Sequence, residues 1–153
     1  MTEQPEDIHT QITAMFAKAR EEAARQKIAR TDAASQREDA FTARVAAEAV
    51  KVAKVLAVEM AGEHKQGHVQ LPRNEDDAFY MALADILRQH DVQVSKLLLA
   101  TEGNTLKNLK AQSEWDNTQL NYSYFAHFGP ASAIVEHMQA YDPRDEGEVI
   151  RTY

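Results

Sequence analysis

No glycine or proline, the two residue types that break helices most strongly, occurs between Pro5 and Gly62. Alanine, the best helix former, occurs 25 times in the 153 residues, and 16 of these alanines precede Gly62. This composition predicts a long, alanine-rich helical arm over residues 1–62. A break near Ser35 is one interpretation, because Ser35 and Glu38 have the spacing of a helix-capping box. The other is one uninterrupted helix, which would need a partner to cover its apolar surface.

The remainder of the chain predicts a smaller helical part. Its apolar residues recur at helical spacing in three segments: after Asn74, over Val94–Ala100 and over 130–141. From Asp142 onward most residues are polar, which is typical of a loose terminus. We therefore expect a compact acidic helical region over 63–141 and a flexible tail over 142–153.

The stretch Asn117–Gly129 has two interpretations. Its apolar residues alternate as in a half-buried strand, whereas Asp116 and Gly129 suit the two ends of a helix. Helix is the favoured interpretation; as a strand, the stretch would pair with Val69–Leu71. The predicted fold class is thus mainly α. We expect a helical bundle with a long alanine-rich N-terminal arm and a smaller helical C-terminal part, with one short β-hairpin as the alternative.

Within the arm, the segment Gln36–Ala61 is apolar on two sides of the helix. Its larger apolar side chains share one face with Ala49: Phe41, Val45, Val52, Leu56 and Met60. Alanines cover much of the opposite side and permit close approach of another helix. A helix with so much apolar circumference is normally buried from more than one side. We therefore predict a homo-oligomer, most simply a homodimer, whose interface includes Val45, Val52 and Leu56.

The chain is acidic, and its charge is unevenly distributed. It holds 17 basic and 24 acidic side chains, a formal net charge of -7 at pH 7. Residues 1–62 carry 9 basic and 10 acidic side chains, whereas residues 63–153 carry 8 and 14. An acidic surface disfavours nucleic acid as a partner and favours a protein with a basic surface.

Aromatic residues cluster inside the acidic half. Five of the eleven lie close together: Trp115, Tyr122, Tyr124, Phe125 and Phe128. Tryptophan and tyrosine dominate the energetic centres of protein interfaces, and the same residues also serve as core. We predict that a set of five residues binds the basic partner: Trp115, Tyr122 and Tyr124 with the flanking carboxylates of Glu114 and Asp116.

Motifs for catalysis, cofactors and metals are missing from the sequence. There is no cysteine, no Gly-x-Ser-x-Gly and no glycine-rich phosphate loop. His64 and His68 are four residues apart, a spacing that can hold a metal on a helix. Gly67 lies between them, however, and no third ligand is marked. We expect no catalytic residue, no cofactor and no metal.

These observations predict a non-enzymatic protein-binding module. It would be an adaptor, a chaperone, or an inhibitor of the kind that phages and plasmids encode against their hosts. One alternative is a helix-turn-helix DNA-binding regulator, since residues 78–103 have the length of two joined helices. A second alternative is a metal-dependent helical enzyme. Residues 1–7 are acidic and polar, and the most apolar stretch, Ala40–Ala61, carries five charged residues, too many for a membrane span. We expect a cytoplasmic protein that does not enter a membrane.

Overall fold

The computed structural model describes residues 5–153, with side chains from Asp7 onward. The first four residues of the predicted arm lie outside the described residues. The chain divides into two compact units, residues 1–43 and residues 44–153.

Helix α1 extends without interruption from Pro5 to Ala61. Ser35 therefore does not cap a second helix: a capping residue must leave helical geometry, and the surrounding alanines give the backbone no reason to do so. None of the described side chains from Asp7 to Ala40 is buried. Side-chain burial on α1 begins at Phe41 and becomes complete at Val45.

Residues 62–153 form three helices and four strands. In chain order they are β1 (Gly67–Gln70), α2 (Asp77–Arg88), β2 (Gln93–Ala100), α3 (Leu106–Asp116), β3 (Ser123–Phe128), α4 (Ser132–Tyr141) and β4 (Glu146–Thr152). The strands make one sheet in the order β1-β3-β2-β4, and every neighbouring pair is antiparallel.

The sheet order contains two interleaved crossovers. β1 and β2 both run antiparallel to β3, so they are parallel to each other and α2 connects them across it. β3 and β4 are likewise parallel, and α4 connects them across β2. Both crossovers lead from the β1 side of the sheet toward the β4 side. The strands joined by the first crossover, β1 and β2, run antiparallel to those joined by the second, β3 and β4. Connections of the same hand then require α2 and α4 to cover opposite faces.

The side-chain contacts agree with this two-sided arrangement. On one face, Ile134 of α4 packs with Leu97 and Phe125. On the other, the ring of Tyr80 of α2 stacks on that of Tyr124, with centroids 3.8 Å apart. The sheet is therefore the middle layer, and strand β2 is apolar on both of its faces.

The predicted mainly α, all-helical fold class is wrong, because a four-stranded sheet exceeds one short hairpin. The segment Val94–Ala100, predicted as a helix, belongs to strand β2. A short apolar run has the same hydrophobic pattern in a buried helix as in a strand that is covered on both faces. The expected helical region over 63–141 consequently contains three strands.

The stretch Asn117–Gly129 also forms a strand rather than the favoured helix. Its residues Ser123–Phe128 are β3, and the alternation of apolar side chains was the informative signal. The alternative pairing is the one observed in part, since Val69 lies opposite Ala126. Gly129 has a positive φ of 82° at the end of the strand instead of ending a helix.

The predicted flexible tail is wrong for its last part, which is strand β4. Its residues pair with β2 along Ser95–Ala100. Gly147 is needed in this strand because a Cβ at that position would lie 2.7 Å from Val135 Cγ2. Helix α4 thus approaches the β4 backbone too closely for a side chain.

The three predicted oligomer-interface residues, Val45, Val52 and Leu56, are buried within a single chain. They belong to the part of α1 that lies in the same unit as the sheet, where Arg44 forms an ion pair with Glu75 at 3.1 Å. Their apolar character is accounted for by this core. Self-association through them remains a prediction, and a different exposed stripe of α1 is considered below.

A charge at Val52 is expected to destabilise the fold. Val52 is 1% exposed, whereas Val50 on the same helix is 55% exposed. An unpaired buried carboxylate costs several kcal/mol, about 3 or more, so Val52→Asp should lower the melting temperature strongly or prevent folding. Val50→Asp is the matched control and should melt near the unmodified protein. Thermal denaturation followed by circular dichroism measures both, and equal melting temperatures would contradict the assignment of Val52 to the core.

Candidate functional site

Trp115 is the most exposed aromatic side chain of the predicted partner-binding set. It lies in the last turn of α3 and is 89% exposed, with Glu114 and Asp116 exposed on either side. Asn117 then ends the helix in the left-handed conformation, with a φ of 53°. A tryptophan left this open is a large apolar surface with carboxylates at its border.

Helix α3 presents this surface without entering the core. None of its residues is buried. The Thr105 side chain accepts a hydrogen bond from the backbone N–H of Asn108 and caps the first turn. Lys110 Nζ lies 2.6 Å from Glu148 Oε2 and joins α3 to β4. Leu106 and Leu109 are half-buried, and this ion pair adds a polar contact between α3 and the sheet.

Tyr122 and Tyr124 lie in different surroundings from Trp115. Tyr124 is half-buried in β3 and stacked on Tyr80. The ammonium nitrogen of Lys96 is 4.1 Å from the centre of the Tyr122 ring, a cation–π contact. The five predicted residues therefore form two groups: an acidic surface at Trp115, and two tyrosines beside a cation.

A cavity of about 590 Å³ opens at these tyrosines. Its charged lining residues are Arg73 and Lys96, and its neutral lining includes Asn74, Gln119 and Asn121. Arg73 Nη2 donates to Ser123 Oγ at 3.3 Å. Sequence reasoning missed Arg73 and Lys96 because they are separated along the chain and neither belongs to a local motif.

The segment that carries Arg73 is fixed by two hydrogen bonds after β1 ends. The Leu71 N–H donates to the Tyr124 carbonyl at 2.8 Å. The Tyr80 hydroxyl donates to the Pro72 carbonyl. Burial, followed by the neighbouring Tyr124, raises the pKa of Tyr80 to about 12, so its hydroxyl stays a donor at neutral pH.

A second cavity, of about 450 Å³, is lined by four histidines and Glu59. The histidines are His64, His68, His127 and His137. The rings of His68 and His137 are 5.1 Å apart, and His64 Nε2 lies 3.7 Å from Glu59 Oε2. Among the described side chains, which begin at Asp7, no three His, Asp or Glu residues are arranged to hold a metal ion. His68 is a strand residue of β1, so it and His64 do not lie on one helix.

His127 belongs to a buried hydrogen-bonded chain across three strands. Its Nδ1 donates to the Gly129 carbonyl at 2.9 Å, since a carbonyl can only accept. Its Nε2 is then free to accept from Ser95 Oγ at 2.7 Å, and Ser95 Oγ is 2.8 Å from Thr152 Oγ1. A serine beside a histidine resembles a nucleophile and its base. Ser95 is completely buried, and its hydrogen bond to His127 joins β2 to β3.

Both inner histidines of this region favour the neutral form. Burial lowers the pKa of His127 below its ordinary value of 6.5, although the Gly129 hydrogen bond opposes the change. Burial also lowers the pKa of His68, and the nearby His137 and His127 lower it further. Neutral His127 is the form that the hydrogen bond from Ser95 requires.

Comparison of the chain with protein-family models, with curated proteins and with solved structures gives no match. Within residues 5–153, no helix has both the length and the apolar character needed to cross a bilayer. A functional interpretation therefore depends on the surfaces and cavities described above.

The folded protein is expected to lose stability as the pH falls through the histidine range. The pKa of His127 is lower in the folded chain than its ordinary value of 6.5, so below 6.5 the unfolded chain binds more protons. The stabilisation is present above that value and decreases toward the folded pKa. His127→Gln should reduce the loss of melting temperature between about pH 8 and about pH 5, whereas His90→Gln, at an exposed position, should not. An unchanged pH dependence in His127→Gln would refute the buried neutral histidine.

Proposed function

We propose that the chain is a non-enzymatic protein-binding module, of the adaptor, chaperone or inhibitor kind. It self-associates through the first part of α1 and captures a basic protein surface at Trp115. One observation carries the proposal: the described side chains from Asp7 to Ala40 are all exposed, although they include large apolar residues. A helical segment of this length without tertiary packing gains little stability from helix propensity alone.

Four of the five large exposed apolar residues of this segment lie in a stripe along one side of the helix, together with two alanines. At about 100° per residue they fall within about 100° of one another. The stripe consists of Ile8, Ile12, Met15, Phe16, Ala19 and Ala23. A stripe of this width is typical of a helix face that packs on another helix, and Ile28 lies on the opposite side.

Charge favours a second copy of the same chain as the occupant of this stripe. Residues 7–43 carry 6 basic and 6 acidic side chains, so two such segments do not repel each other. Residues 44–153 carry 11 and 16, and two sheet units therefore repel each other weakly. Association through the arm brings together the neutral parts of two acidic chains. This distribution of charge supports the homo-oligomer. The proposed interface is the stripe, in place of the predicted residues Val45, Val52 and Leu56.

The surface around Trp115 supports capture of a different protein. An exposed tryptophan supplies the apolar centre of an interface, and the carboxylates of Glu114 and Asp116 supply a negative border. A basic surface on the partner would match this border and speed the encounter. Tyr122 and Tyr124, which lie beside Lys96, are less suited to a basic partner.

Neither of the two alternatives has a structural observation in its favour. The second helix of the helix-turn-helix interpretation is strand β2, so residues 78–103 do not form that motif. A metal-dependent enzyme would need converging ligands, and the described residues bring no such group together.

A charge on the stripe is expected to separate the oligomer into monomers. Ile12 lies on the stripe and is 42% exposed, while Ile28 is off the stripe and 61% exposed. Ile12→Asp should halve the mass measured by light scattering at about 10 µM, because a carboxylate in an apolar helix interface costs several kcal/mol. Ile28→Asp should keep the mass of the unmodified protein. A monomeric unmodified protein, or equal masses for the two variants, would refute self-association through the stripe.

Removal of the exposed tryptophan is expected to abolish capture of the basic partner while leaving the fold intact. Trp115→Ala should reduce the recovery of basic proteins from a cell extract about tenfold or more, because central aromatic residues dominate interfaces. Tyr141→Ala is the matched control, since Tyr141 is 83% exposed and lies on α4. Recovery should also decrease as salt rises. Equal recovery by both variants would contradict the assignment of this surface.

A further inference from the structure

We propose that the cavity beside Tyr122 is a binding site for a small phosphate monoester. This proposal is independent of the protein-binding function, because the cavity and the exposed Trp115 surface are separate features of the molecule. The charged side chains that line the cavity are Arg73 and Lys96, two cations in a chain whose net charge is -7. A phosphate monoester carries up to two negative charges near neutral pH, which equals the charge of the two cations.

Neither cation has an acidic partner in the part of the chain that the structure describes. Arg73 donates to the neutral Ser123 hydroxyl at 3.3 Å. Lys96 lies against aromatic rings, 4.1 Å from the centre of Tyr122 and 6.0 Å from that of Tyr124. Their positive charge therefore remains available to a ligand.

The three acidic residues that follow Asn74 are each engaged elsewhere. Glu75 forms an ion pair with Arg44 at 3.1 Å. Asp76 Oδ1 accepts from the backbone N–H of Phe79 at 3.0 Å and caps α2. Asp77 accepts from the Tyr153 hydroxyl at 2.8 Å. None of these carboxylates lines the cavity, and both of the charged residues that do line it are cations.

The neutral lining supplies the contacts that an organic ester would need beyond its phosphate. Asn74, Gln119 and Asn121 each offer amide donors and an acceptor. The volume of about 590 Å³ lies within the range of small-molecule sites and exceeds what inorganic phosphate alone would fill. Arginine binds phosphate through paired N–H groups, and lysine binds it as a point charge. These features favour a monoester with a polar, hydroxyl-bearing body.

Isothermal titration calorimetry of the full chain tests the site with defined probes. Ribose 5-phosphate and adenosine 5′-monophosphate should bind, while uncharged adenosine should not bind at the same concentration. Citrate should bind at least about tenfold more weakly than the monoesters, because its carboxylates are spread over a different shape. Equal or tighter binding of citrate would overturn the phosphate assignment. Tighter binding of a short single-stranded oligonucleotide would overturn the small-molecule assignment.

Two variants and one control link binding to the cavity. Arg73→Gln and Lys96→Met should each weaken the binding of adenosine 5′-monophosphate about tenfold or more, since each removes one charged contact. Lys107→Met, an exposed lysine of α3 outside the cavity lining, should leave it unchanged. Arg73 is exposed and outside the strands, so its variant remains informative if Lys96→Met does not fold. No binding of either monoester at about 10 mM, or unchanged binding in Arg73→Gln, would overturn the proposal.

Discussion

The pairing of β2 with β3 is the interaction on which the rest of the sheet depends. β1 joins the sheet only through β3, and β4 joins it only through β2. The register of this central pair sets Ser95 opposite Phe125 and Lys96 opposite Tyr124. Because side chains alternate along a strand, a slip of one residue would exchange the two faces. The buried chain through Ser95 and the cation at the tyrosines both result from this one register.

Helix α1 is alanine-rich throughout, although one part of it is packed in the core and another part is exposed. From Arg44 onward it belongs to the same unit as the sheet and buries valines and a leucine there, whereas its described side chains from Asp7 to Ala40 are exposed. Alanine permits both, because it favours helix whether or not a neighbour covers it. The same helix can thus serve as core at one end and as a surface for association at the other. Composition alone does not separate these tasks, since the alanines extend throughout.

The sequence predicted a helical arm before Gly62 and a helix after Asn74, but not the sheet. Absence of glycine and proline left open whether the arm is broken near Ser35, and the apolar spacing after Asn74 agrees with the presence of α2. Strand β2 was missed because an apolar run buried on two faces has no period that distinguishes it from a helix. β4 was missed because its only large apolar side chains, Val149 and Ile150, are adjacent in sequence, so the strand shows no alternation of apolar and polar residues.

The candidate sites were harder to predict than the fold. Trp115 and its acidic neighbours are adjacent in sequence, so a local pattern was enough to single them out. Arg73, Lys96 and Tyr122 come from three segments that only the sheet pairing brings together. Ser95 and His127 likewise meet through pairing between β2 and β3. Contacts of this kind depend on strand order, which one sequence without its relatives does not reveal.

The strand order also determines when each part of the chain can fold during synthesis. β1 and β2 are synthesised before β3 but are not neighbours in the sheet. Neither can form its hydrogen bonds with β3 until β3 has been synthesised. β2 acquires its second neighbour only with β4, the fourth of these strands in chain order, and Tyr153 then donates its N–H to the Val94 carbonyl at 2.8 Å. Non-local pairing of this kind is slow compared with helix formation. The nascent chain therefore contains the complete helix α1 and the apolar strand β2 before the neighbours of β2 have been synthesised. During this period the unpaired strand favours aggregation and the binding of chaperones.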